Sequence, residues 1–194
     1  MSGLWKNLDG EKPEECIVKA VDGKLRIQSK DRQIQREAAT APFLNVEVDG
    51  DFVAQVKVAD VIGLAQKKGC GYNEAGILVM DADSRPGNIS EIHLSLFPMY
   101  PDKGNMWTSL GRHGRPQVGN ATGWQPDPYL QVERRGEFIY LRTSRDGINW
   151  KDMPETPVRR SDFGKRVKVG LFQCTYTGET GYGDFEEFRL WKVK

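Results

Sequence analysis

Short stretches in which apolar and polar residues alternate recur along the whole chain. The clearest runs from Phe43 to Val58 and is interrupted by Asp49-Gly50-Asp51. A period of two is typical of a β-strand with one buried face, and Asp-Gly favours a tight turn because both residues tolerate a positive φ. We therefore predict a β-hairpin turning at this tripeptide, with its buried face formed by Leu44, Val46, Val48, Phe52, Ala54, Val56 and Val58.

The same alternation predicts a second hairpin over Tyr129–Thr143, turning at Arg135-Gly136. Further strands are predicted at Cys16–Ala20, Lys24–Ser29, Ala75–Asp81, Ile89–Phe97, Val167–Thr175 and Asp184–Val193, with short ones at Met106–Gly111 and Ile148–Asp152. Long loops are expected at Val58–Lys68 and Pro98–Pro128. Roughly ten to twelve strands separated by turn signals indicate an all-β sandwich or barrel.

Length, charge and hydropathy narrow the class of protein. The 194 residues fit one domain, and the formal net charge of +1 argues against a general binder of nucleic acid. The mean hydropathy is −0.58, and no apolar run of membrane-spanning length occurs, so no membrane partner is expected. No signal peptide is visible, which is expected of a cytosolic protein or of a secreted one whose signal was removed. Cys16, Cys70 and Cys174 are far apart and are interpreted as packed, reduced thiols.

Most catalytic and metal-binding motifs are missing from the sequence. His93 and His113 are the only histidines, and the cysteines and histidines do not cluster at zinc-ligand spacing. Glu91 and Glu133 fall on polar strand faces, and a pair of carboxylates can hydrolyse a glycosidic bond. A solvated or ion-paired glutamate is the plainer interpretation of each.

Several motifs resemble a known superfamily through their order and spacing over nearly the whole chain. They are Gly50-Asp51-Phe52 with Val56 and Val58, Ala75-Gly76-Ile77-Leu78-Val79, Leu130 with Arg134 and Gly136, Ser144 with Asp146-Gly147 and Trp150, Val169-Gly170-Leu171-Phe172, and Phe185 with Phe188. This series resembles the concanavalin A-like lectin/glucanase superfamily, and within it the β-xylosidase C-terminal-like domains and their uncharacterised relatives.

The resemblance implies one domain over residues 1–194, a two-sheet antiparallel jelly-roll β-sandwich whose concave sheet face binds or hydrolyses glycans. No cofactor is expected, and the structural calcium that many jelly rolls of this superfamily carry is the one alternative. Strand parity and aromatic loop residues then give a candidate set for binding an oligosaccharide or polysaccharide: Gln55, Glu91, His93, Trp107, Arg112, Trp124, Glu133, Tyr140 and Arg142. Trp107 and Trp124 have a second interpretation, in which they pack loops onto the sandwich.

Three functions follow from these observations. The first is a non-catalytic carbohydrate-binding or glycosidase-accessory domain that uses the concave face. The second is a glycoside hydrolase or lyase acting through Glu91 or Glu133 with His93, although the Glu-x-Asp-x-x-Glu strand of the hydrolase branch is missing. The third is a protein-interaction domain, with a protein partner or a homo-oligomer formed through sheet edges or a face.

Overall fold

The computed structural model describes residues 5–34, 39–62, 73–98, 104–111, 117–122, 126–175 and 180–193, with the backbone alone described over 117–122 and at Pro13. These residues contain fifteen strands and one 3₁₀ turn (Pro13–Glu15), joined by turns and loops. The strands are β1 (Asn7–Asp9), β2 (Ile17–Val21), β3 (Lys24–Lys30), β4 (Phe43–Asp49), β5 (Phe52–Val61), β6 (Asn73–Asp81), β7 (Glu91–Phe97), β8 (Gly104–Leu110), β9 (Gln117–Thr122), β10 (Tyr129–Arg135), β11 (Phe138–Ser144), β12 (Lys151–Asp152), β13 (Val158–Arg159), β14 (Arg166–Thr175) and β15 (Thr180–Lys192).

The strands form two antiparallel sheets that face each other. The seven-stranded sheet has the order β1-β4-β14-β6-β7-β8-β9, and the eight-stranded sheet has the order β12-β11-β10-β5-β15-β3-β2, with β13 also paired to β11. Apolar residues from both sheets form one core between them, including Val46, Ile77, Leu94, Val56 and Leu141. The predicted all-β, two-sheet antiparallel sandwich is confirmed, and so are the predicted buried positions of β4 and β5.

The first predicted hairpin is wrong in its pairing. The strands β4 and β5 both exist, but β4 lies in the seven-stranded sheet and β5 in the eight-stranded sheet. The turn at Asp49-Gly50-Asp51 therefore carries the chain from one sheet to the other, and Gly50 donates its N–H to Lys165 O at 3.0 Å. Alternation determines which residues are buried, but a hairpin and a crossing between packed sheets bury the same face.

The second hairpin is confirmed, with Arg135 opposite Phe138 across the turn. Its turn contains Gly136, whose φ of 58° suits glycine. Three strands were not predicted from the sequence: β1, β9 and β13. Within the stretch Pro98–Pro128, β8 confirms the short strand predicted at Met106–Gly111, whereas β9 lies where only loop was expected. Within the described residues, no helix has the length and apolar composition needed to cross a bilayer.

The outer face of the seven-stranded sheet, which points away from the main core, is covered as well. A second apolar cluster lies there, formed by Phe43, Leu78, Met80, Phe172 and Cys174 with Ile34, Ala41, Ile89 and Leu110. All nine residues of β6 are consequently buried. Burial on both faces explains why the sequence of β6 is a nearly continuous apolar run.

Candidate functional site

A group of charged side chains is buried on the outer face of the seven-stranded sheet. Along β7, Ile92, Leu94 and Leu96 point into the main core. The alternate residues Glu91, His93 and Ser95 therefore point outward, yet they are at most 2% exposed. Charged side chains are seldom buried this deeply unless they are paired.

The pairing partner of this group is Glu74, at the start of the neighbouring strand β6. The imidazole of His93 lies between two carboxylates: Nδ1 is 2.9 Å from Glu91 Oε2, and Nε2 is 3.4 Å from Glu74 Oε2. Ser95 Oγ donates a hydrogen bond to Glu74 Oε2 at 2.7 Å. We call Glu74, Glu91, His93 and Ser95 the acid–histidine cluster.

The two carboxylates keep His93 protonated. Burial alone would lower the pKa of His93, but the negative charges of Glu91 and Glu74 outweigh it and raise the pKa from 6.5 to about 10. One cation therefore lies between two carboxylates in a buried position.

The cluster retains two polar atoms without a hydrogen bond. Glu91 Oε1 and His93 Nε2 are both buried, and neither has a hydrogen-bond partner among the residues that the structure describes. Nε2 lies 3.4 Å from Glu74 Oε2, which is close enough for electrostatic attraction between the two groups. Buried polar groups are normally satisfied, so this acceptor and this donor indicate capacity for a bound hydroxyl group or water.

The surroundings of the cluster combine an aromatic ring, a glycine and a partly exposed threonine. The rings of His93 and Phe172 are 4.9 Å apart although β6 runs between their strands. This contact is feasible because Gly76, which pairs with both Phe172 and Ser95, has no side chain. Thr108 on β8 is opposite His93 and is partly exposed.

Arg160 fixes the strand ends next to the cluster. Its guanidinium is buried and donates to Glu91 O, to Ser109 Oγ at 2.7 Å and to Leu110 O at 2.8 Å. Two further bonds run to the carboxylate of Asp162, at 2.8 and 2.9 Å. Burial would raise the pKa of Asp162, but the bonds from Arg160 hold it at about 2. The backbone at Glu91 is thereby held in place by a saturated buried cation.

Four other predicted ligand-binding residues lie on the opposite side of the sandwich. Gln55, Glu133, Tyr140 and Arg142 belong to β5, β10 and β11, so they share the outer face of the eight-stranded sheet. The prediction that one sheet face carries the whole set is wrong, because Glu91 and His93 lie on the outer face of the other sheet. Glu91 and Glu133 consequently lie on opposite sides of the core and cannot act together as a pair of carboxylates.

On the outer face of the eight-stranded sheet, Arg142 is the centre of a network of ion pairs and hydrogen bonds. Arg142 donates to Gln131 Oε1 at 2.8 Å, to Glu133 Oε2 at 2.6 Å and to Asp152 Oδ1 at 2.9 Å. Burial raises the pKa of Glu133, but the hydrogen bonds from Arg142 and Arg135 lower it more, so the net shift is downward. The guanidinium carbon of Arg142 is 5.4 Å from the centre of the Tyr140 ring.

Trp107 is not an exposed stacking surface. Its side chain is 1% exposed within the main core, and its indole N–H donates to Pro154 O at 2.8 Å. The alternative interpretation, in which Trp107 packs against the sandwich, is confirmed. Arg112 and Trp124 lie outside the described residues.

Neither of the two described cysteines belongs to the acid–histidine cluster. Cys174 is buried, Cys16 is half-buried and no disulfide joins them, while Cys70 lies outside the described residues. Among the residues that the structure describes, three or more His, Cys, Asp or Glu side chains nowhere gather in a way that could hold a metal ion.

Comparisons with known proteins give relatives in fold only. No protein family and no curated protein sequence matches this chain. A functionally unknown protein from Saccharomyces cerevisiae has a TM-score of 0.68 and 22% identity, over 98% of this chain and 97% of that chain.

Two further structures are similar at lower identity. A legume lectin-like domain from Entamoeba histolytica has a TM-score of 0.58 and 13% identity, over 97% of this chain and 91% of that chain. A xylan β-1,4-xylosidase from Bacillus halodurans has a TM-score of 0.61 and 13% identity; the match covers 94% of this chain but 35% of the enzyme. With its two packed antiparallel sheets, the chain has the concanavalin A-like jelly-roll fold that its motifs predicted.

Proposed function

We propose that this protein is a non-catalytic carbohydrate-binding domain whose ligand lies on the outer face of the seven-stranded sheet, above the acid–histidine cluster. The observation that carries the proposal is the unpartnered pair in that cluster, the acceptor Glu91 Oε1 and the donor His93 Nε2. A sugar hydroxyl group can donate a hydrogen bond to the first of these atoms and accept one from the second.

The structural relatives support this choice of ligand. One is a lectin-like domain, and another is a xylosidase of which this chain matches 35% of the length. A domain that corresponds to a minor part of such an enzyme fits an accessory role in substrate binding. Xylo-oligosaccharides are therefore the first ligands to test.

The arrangement favours binding over hydrolysis. A hydrolase of this kind needs one carboxyl group that donates a proton to the leaving oxygen. Here Glu74 and Glu91 both lie against the protonated imidazole of His93, so each is held as an ion-pair partner of the same cation. Glu74 and Glu91 nevertheless replace Glu91 and Glu133 as the carboxylates to examine for turnover.

The experiment that tests the proposal blocks the face without disturbing the buried charges. Thr108→Arg places a long side chain beside His93 from a partly exposed position. We expect isothermal titration with xylotetraose to show binding by the wild type, and at least about a tenfold loss of affinity at the site on this face in Thr108→Arg, because the added side chain occupies the space of the ligand.

Glu47→Gln is the matched control. Glu47 is exposed on the same face of the seven-stranded sheet, and its strand β4 lies two strands away from β6. It should bind as the wild type does. If the folded wild type binds none of xylotetraose, cellotetraose and laminaritetraose, the proposal is wrong. Release of reducing sugar from any of them by the wild type, lost in Glu91→Gln, would establish the hydrolase instead.

A further inference from the structure

A small pocket on the outer face of the eight-stranded sheet lies on the side of the sandwich opposite the acid–histidine cluster. Its volume is about 220 Å³, and its lining includes Gln55, Tyr129, Ile148, Trp150 and Arg189. Typical ligand pockets have ~300–1,000 Å³, so this one suits one small ring rather than a chain of several.

The loop that forms one wall of this pocket is rigidly built. The carboxylate of Asp146 accepts the backbone N–H groups of Ile148 and Asn149 at 2.9 and 2.8 Å, and it also accepts the side-chain amide of Asn149 at 2.7 Å. These bonds from Asn149 and Ile148 hold the pKa of Asp146 well below its usual range. Within this ordered loop, Ile148 is nevertheless 79% exposed to solvent. A loop that is ordered beforehand loses little entropy when a ligand binds.

The polar groups of the pocket are open, whereas those beside it are satisfied. Arg142 and Gln131 lie in the same cross-strand row as Gln55 and are bonded to each other. By contrast, the Gln55 amide, the Tyr129 hydroxyl and the Trp150 indole N–H make no hydrogen bond to any described residue. Three polar groups that make no hydrogen bond to a described residue therefore line this one pocket.

The charges of the pocket favour an uncharged ligand. The carboxylate of Asp146 is already saturated by the loop, and Arg189 lies 3.7 Å from Glu187 as an exposed ion pair. An anionic sugar would meet no unpaired cation there. Two half-buried aromatic side chains and an exposed isoleucine supply apolar surface, and the free amide and indole supply hydrogen bonds.

We infer that this pocket is a second saccharide subsite, which takes a single neutral pyranose ring between Trp150, Tyr129 and Gln55. The inference rests on the proposed function, since it makes the domain a saccharide binder with two sites on opposite faces. Two such sites can engage two segments of one polysaccharide, or two neighbouring chains, and so raise the overall affinity without new contacts.

The test follows individual side chains while xylotetraose is added. In ¹H–¹⁵N spectra of the wild type, we expect the Trp150 indole and Gln55 amide signals to shift and to saturate. Gln55→Ala should weaken the affinity measured at the Trp150 signal about five- to tenfold, which is the loss of one neutral hydrogen bond. Gln28→Ala is the matched control, because Gln28 is a half-buried glutamine of the same sheet on β3, outside the pocket. It should leave the affinity unchanged.

Thr108→Arg separates this inference from the proposed function. That variant should keep the shifts of Trp150 and Gln55 while losing those around His93. If the signals around His93 respond to xylotetraose but Trp150 and Gln55 do not, or if Gln55→Ala binds like Gln28→Ala, the second subsite is wrong and the proposed function stands. If no signal of the folded wild type responds to xylotetraose, cellotetraose or laminaritetraose, both are wrong.

Discussion

Replacing His93 by glutamine is expected to lower the free energy of unfolding by about 3–5 kcal/mol, because it leaves buried carboxylates without their cation. Glutamine can donate a hydrogen bond to one of Glu74 and Glu91, but it carries no charge to offset either. Urea unfolding of wild type and variant at pH 6.5 measures the difference. A loss below about 1 kcal/mol would contradict the geometry of the cluster.

The cause can be separated from a packing defect by a double-mutant cycle. Glu91→Gln alone removes one carboxylate and leaves His93 with Glu74. If repulsion between uncompensated carboxylates causes the loss, His93→Gln combined with Glu91→Gln should be more stable than His93→Gln alone. Simple additivity of the two single losses would instead point to packing around the ring, for example against Phe172.

The same cluster makes stability depend on pH in the alkaline direction. The folded protein holds the His93 proton with a pKa of about 10, against 6.5 in the unfolded chain. Its stabilising contribution is therefore complete below pH 6.5 and is lost as the pH rises through 10. The difference in free energy of unfolding between the wild type and His93→Gln should therefore decline over this pH window. Taking the difference removes the contributions of the other titrating groups. Glu74 and Glu91 are the charged groups that face His93, with Ser95, Leu78, Thr108 and Phe172 as its uncharged neighbours.

Gly76→Ala is the second substitution with a large expected effect. A Cβ at this position would lie 2.0 Å from Leu94 O and 2.7 Å from Ser95 Cα, both in the backbone of β7. A backbone in the middle of a sheet cannot yield as a side chain can. We expect a loss of about 3 kcal/mol or more, or failure to fold, measured by soluble yield and by denaturant unfolding.

Gly111→Ala is the control for this substitution. Gly111 lies just after β8 in the same sheet, and its added Cβ would come no nearer than 3.3 Å, to the side chain of Asp162. Its stability should remain within about 1 kcal/mol of the wild type. Gly170→Ala should resemble Gly76→Ala, since its Cβ would lie 2.0 Å from Leu44 O. Equal stability of Gly76→Ala and Gly111→Ala would mean that β7 moves aside.

The sequence predicts the strands well because alternation is a local property. Leu44, Val46, Phe52 and Ala54 are buried where their spacing places them. The pairing of strands is not local: β4 and β5 are joined by a short turn and yet belong to different sheets. Of the two predicted hairpins, the one formed by β10 and β11 pairs as predicted, and there Gly136 takes the positive φ of a tight turn.

The candidate site shows the same limit. Glu91 and His93 share one strand face, so parity alone placed them together. Glu74 was missed because its contact with His93 depends on the register of β6 against β7, which alternation does not contain. Trp107 had two interpretations for a related reason, since a tryptophan near turn residues can point into a core as readily as into solvent.

The order in which the strands lie has a consequence for how the protein is made. The strand β14 is central in one sheet, between β4 and β6, and β15 is central in the other, between β5 and β3. During synthesis, residues 1–165 leave the ribosome before either strand, so each sheet first exists as two separate halves with open edges. We infer that the nascent chain cannot close its core until residue 192 has emerged, and that this interval is when it most needs protection from aggregation.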